Sequence, residues 1–97
     1  MDLGTILDQL SNLQDDHCIF AARPWTSASR AIAMPLGVDF QTPKEVSDQE
    51  LDYFLEVHVA KEALEVFGDH APTRAERHRL LIFYAESDAY PDWVFDR

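Results

Sequence analysis

Cysteine occurs once in this chain, at Cys18, so no internal disulfide can form and the thiol content points to no oxidising compartment. Glycine is scarce too. Gly4, Gly37 and Gly68 stand alone, which excludes a phosphate-cradling loop or a dinucleotide fingerprint. No long hydrophobic run exists: the longest, Leu80 to Ala85, falls far short of the ~20 residues that cross a bilayer. The first residues, Met1-Asp2-Leu3-Gly4, lack the basic-then-apolar order of a signal peptide. The expected location is therefore the cytoplasm, with no membrane partner. Bases are the last shortage. Eight Lys and Arg face eighteen Asp and Glu, a net charge of −10, and such a surface repels phosphate backbones, so no nucleic-acid partner is expected.

What is present suits one folded unit. Ninety-seven residues, 46% of them apolar, make a single globular domain over 1–97, at the small end of the usual ~100–150 residues. Leu3, Ile6, Leu7, Leu10 and Leu13 recur at helical spacing and predict an amphipathic helix ending near Gln14 to Asp16. His17–Ala22, short and apolar, predicts a strand. Arg30–Leu36 predicts a second, paired with the first through the polar turn Thr26 to Ser29. Val38 to Ser47 reads as loop with an extended edge at Val38–Phe40. Residues 51–59 fit both periods; the preferred reading is a strand over Asp52–Val57, then a helix over His58–Phe67 stopped by Gly68. Thr73 and Glu76 form a capping-box pattern that starts a last helix, with Leu80, Leu81, Phe83 and Tyr84 on its buried side. The aromatic tail, Tyr90 to Phe95, should dock on the body. The expected fold is α+β: a small antiparallel sheet of about three strands packed against three helices, in the order α-β-β-β-α-α.

Chemistry is harder to find. His17 and Cys18 are adjacent, so a strand points them to opposite faces. His58 and Glu62 share a helical face but supply two ligands where zinc needs three or four, with His70 and His78 elsewhere in the sequence. Neither a metal nor a cofactor is expected. Cys18 lies in an apolar pattern typical of a buried thiol, and Ser27 and Ser29 sit in a turn without a nucleophile-elbow motif. No catalytic residues are assigned, and the chain is read as a non-enzyme.

Recognition surface remains. Between Glu45 and Asp69 lie eight acids and one base, Lys61, whereas Arg74, Arg77 and Arg79 make a basic island. The acids read either as solvated surface that keeps the chain soluble or as a patch for a basic partner. Trp25 and Trp93 read either as plugs at the edges of a small core or as interface anchors. The candidate partner-binding residues are Glu56, Glu62, Glu65, Asp69, Asp88, Tyr90, Asp92 and Trp93.

Two stretches carry a resemblance: Tyr53-Phe54-Leu55-Glu56-Val57 leading into a helix, and Phe83-Tyr84-Ala85-Glu86-Ser87-Asp88-Ala89-Tyr90. Together they resemble a family of small bacterial proteins of unknown function that ends in a tyrosine-rich helix and a Tyr-x-x-Asn-Asp-Ala-aromatic signature. Ser87 replaces the signature's Asn, and the likeness covers the second half of the chain. Some such proteins look like immunity proteins of secreted toxin systems. The resemblance implies an inhibitor that occludes a basic toxin or effector; the alternative is a non-inhibitory interaction module or homodimeric adaptor. An acidic mimic of nucleic acid is a third reading, for which the acids are clustered where regular spacing is needed.

Overall fold

The computed structural model describes residues 1–35, 49–68 and 71–95. Among these residues are three helices and a three-stranded antiparallel sheet in the expected order. The expected edge at Val38–Phe40 lies outside the described residues.

Helix α1 spans Leu3–Asp8, capped by the Asp2 carboxylate, which accepts from the backbone N–H of Thr5 at 2.8 Å. It is shorter than the leucine spacing predicts. At Gln9 the winding tightens, and Asn12 and Leu13 bond three residues back (2.9 and 3.0 Å) in a 3-10 turn over Leu10–Asn12. Leu3, Ile6, Leu7 and Leu10 are nonetheless all buried. The tighter turn keeps the apolar stripe inward while the polar run from Ser11 leaves for the sheet.

Strands β1 (His17–Ala21), β2 (Ala31–Pro35) and β3 (Asp52–Glu56) pair in the order β2-β1-β3. Phe20 opposes Ile32 on one side and Tyr53 on the other. β1 is apolar on both faces, as a central strand should be. Ile19 and Ala21 join the helix-side core with Leu3, Ile6, Leu55, Ala60 and Leu81. Cys18 and Phe20 point the other way, to Leu51, Ile32 and Met34.

The ambiguity over 51–59 has a structural cause. Ile19 opposes Leu55 but Phe20 opposes Tyr53, so Phe54 is an extra, bulged residue. Phe54 and Leu55 are therefore both buried in the helix-side core, which interrupts the alternation of the strand. Glu56 closes β3 and is at once the N-cap of α2 (Val57–Leu64). The expected helix over His58–Phe67 thus begins one residue early and finishes as a 3-10 turn, Glu65–Phe67, ended at Gly68 with φ of 56°. That positive φ suits the glycine expected there as a stop.

Helix α3 runs Arg74–Ser87 behind the predicted capping box. Thr73 N–H donates to the Glu76 carboxylate (2.9 Å), and Glu76 N–H donates to the Thr73 hydroxyl (3.1 Å). Leu81 enters the main core; Leu80 joins Phe67 and Val94, so the tail docks in a third apolar cluster. Among the described residues no helix is long and apolar enough to cross a membrane.

Candidate functional site

The capping box fixes where α3 starts, and its fourteen residues carry Tyr84 to the end that faces the tail. There Asp88 adopts a left-handed conformation (φ 53°) and its N–H closes on the Tyr84 carbonyl at 2.8 Å. Asp and Asn are the non-glycine residues that tolerate this turn best. The reversal lays Tyr90 against Tyr84, with ring centroids 5.2 Å apart and planes tilted by 54°. Burial raises the Tyr90 phenol above its usual range, helped by Tyr84 and by the negative charges of Glu62 and Glu65. Tyr90 thus lies within the field of the two α2-side acids and is still 37% exposed.

The other candidate residues divide. Asp88 and Asp92 are exposed on the same reversal. Trp93 is half-buried: its ring lies 6.3 Å from Phe67, and the Arg79 guanidinium covers it at 4.8 Å. It packs the tail down more than it projects. Glu56 stands apart, 3.3 Å from His58 and close enough to Cys18 and Tyr53 to add to the burial that raises both groups. Asp69 lies outside the described residues. Trp25 is a plug: 6% exposed, its indole N–H donates to Ala21 O (3.1 Å), and it meets Phe54 edge-on at 5.0 Å.

Ion pairing separates the acids into two kinds. Asp8 pairs with Arg74, Asp15 with Lys61 (2.6 Å), Asp52 with Arg23 (3.2 Å) and Glu56 with His58. Among the described residues no cation pairs with Glu62 or Glu65. Both are exposed. His58, considered beside Glu62 as a ligand pair, turns to Glu56 and to the Asp15 carbonyl (3.3 Å). Burial, with Glu56 adding to it, pushes the Cys18 thiol up to about 11, which makes it inert at neutral pH.

One constellation escaped the sequence. Ser27 Oγ lies 2.8 Å from His78 Nδ1, and His78 Nε2 lies 2.8 Å from Asp8 Oδ1. Arg74 Nε holds the other oxygen of Asp8, and Arg77 stands 3.7 Å from the first. Partial burial works to raise Asp8, but the hydrogen bonds from Arg74 and His78 hold it below the usual carboxylate range. The members come from the β1–β2 connection, α3 and α1, joined by Gly4 N–H donating to Ser27 O at 2.8 Å. Contacts 51 and 70 residues apart leave no local spacing to find. No protein-family model matches the chain, and neither a curated protein nor a solved structure does.

Proposed function

We propose that the chain works by binding a basic protein partner, as an immunity-type inhibitor, through an acidic and aromatic face formed by Glu62, Glu65, Tyr84 and Tyr90. Asp88 and Asp92 extend it along the tail. The observation that carries this reading is the meeting of Tyr90 with Tyr84 in the field of Glu62 and Glu65, acids that no described cation pairs with, whereas Asp8, Asp15, Asp52 and Glu56 are paired. Tyrosines give an interface contact area at low entropic cost, and uncompensated carboxylates steer a cationic partner into register. The resemblance to a family of small bacterial proteins of unknown function, some of which look like immunity proteins, agrees with the same reading, as does the net charge of −10. In this reading the protein is a cytoplasmic binder that performs no turnover and needs no cofactor.

The test is co-expression with the product of the neighbouring gene, scored by growth rescue and by co-purification. Rescue that weakens with Glu62→Lys plus Glu65→Lys supports the reading. A tight homodimer in light scattering, insensitive to salt and without growth rescue, favours the adaptor instead, with exposed Tyr53 and Phe83 available for self-contact.

A further inference from the structure

The binding face makes no use of the Ser27, His78 and Asp8 chain. We infer that Ser27 is a primed acyl acceptor: its hydroxyl attacks a small activated acyl donor, with His78 as general base and Asp8 as the positioning residue. The requirement for an activated nucleophile is a base within ~2.6–3.2 Å and a third group that orients that base, and both contacts are 2.8 Å. Asp8 Oδ1 is an acceptor, so it holds the proton of the neutral imidazole on Nε2 and leaves Nδ1 free to accept from the Ser27 hydroxyl.

Accessibility suits the roles. Ser27 is half-buried, and the His78 ring is 4% exposed. The residue that would be acylated keeps part of its surface in solvent while the base is shielded from water. Gly4 makes the arrangement possible, because a Cβ there would stand 2.9 Å from His78 Cε1, 3.1 Å from Ser27 O and 3.2 Å from Arg74 Nη2. The Arg74 guanidinium reaches the same Gly4 position while its Nε holds the second Asp8 oxygen, which keeps the positioning carboxylate in place.

The step balances. The Ser27 oxygen forms a bond to the acyl carbon as its proton passes to His78 Nδ1. The bond from that carbon to the leaving oxygen or sulfur then breaks, and the leaving group carries away the proton from His78. The product is an ester on Ser27, with the imidazole neutral again. No oxidant or metal is required.

The probe is p-nitrophenyl acetate with the whole chain, read by p-nitrophenolate release and by peptide mass spectrometry. The expected result is a burst of about one equivalent per chain with acetate on Ser27, absent in Ser27→Ala. His78→Gln slows the burst roughly a hundredfold or more, the usual weight of a general base, and Asp8→Ala slows it with partial rescue by added formate. Circular dichroism confirms that each variant is folded. Should His78→Gln fail to fold, Ser27→Ala and the formate rescue decide. Intact Ser27 in folded wild-type protein, or acetate only on lysines and the N-terminus, overturns the inference and leaves the chain as a purely structural tie.

Discussion

At Gly4 the absence of a side chain lets the His78 ring close on the backbone of α1. Elsewhere in a helix, alanine is favoured over glycine by ~0.5–1 kcal/mol. Here the new methyl would meet a ring fixed by two hydrogen bonds and the carbonyl that accepts Gly4's own N–H. Overpacking of this kind costs ~1–3 kcal/mol, so steric cost wins. Gly4→Ala should lower the urea midpoint with an unchanged slope; a gain in stability contradicts the packing described around His78. At this scale the sequence was least legible. It marks Ser27 and His78 only as a turn serine and a spare histidine, since what joins them is the way three distant segments meet. Trp25 was open between plug and anchor for a related reason. Its partner Phe54 is presented by a bulge that no spacing rule anticipates.

Elements were more legible because their signals are local. The Thr73 and Glu76 pair marks the start of α3 in the sequence and forms both of its hydrogen bonds in the structure. Thr73→Ala removes one acceptor from the helix start, and thermal unfolding should show a loss of ~1 kcal/mol. No loss means the cap is redundant with the packing of Leu80 and Leu81. Gly68 likewise stops its helix where expected, and the β1–β2 pairing follows the apolar runs. The misjudged boundaries are two: α1 tightens at Gln9 to turn into the sheet, and Val57 opens α2 instead of closing β3, although the direct passage from strand to helix is as expected. The docking of the tail on α2 has its own check. Neutralising Glu62 and Glu65 with glutamine should lower the Tyr90 phenol titration, followed by NMR, because burial and Tyr84 remain while two negative charges go. An unmoved titration means the tail and α2 are not neighbours.

Across the whole molecule, charge sets the acid response of stability and underlies the proposed binding. Asp2 is held below its ordinary 3.8 mainly by hydrogen bonds from Thr5, and Asp15 mainly by Lys61. Asp8 is likewise lowered on balance, its partial burial outweighed by Arg74 and His78. A depressed folded value means that these carboxylates contribute fully above the unfolded value and lose their contribution as pH falls through the folded one. Urea midpoints should therefore hold as pH approaches about 4 from above and drop below it, with a shallower drop in Asp8→Asn. An equal drop in that variant removes Asp8 from the acid response. The sequence shows the acidic excess but not which acids are neutralised internally, because pairing is decided in three dimensions. That Lys61 pairs with Asp15 and not with Glu62 or Glu65, its neighbours in sequence, is one such three-dimensional choice. The most direct measurement is the association rate with the neighbouring gene's product, taken at low and high salt for wild type and for Glu62→Lys plus Glu65→Lys. Electrostatic steering through this face requires the double reversal to slow association roughly tenfold or more and to flatten its salt dependence. An unchanged rate and salt slope, or no association at all, contradicts it.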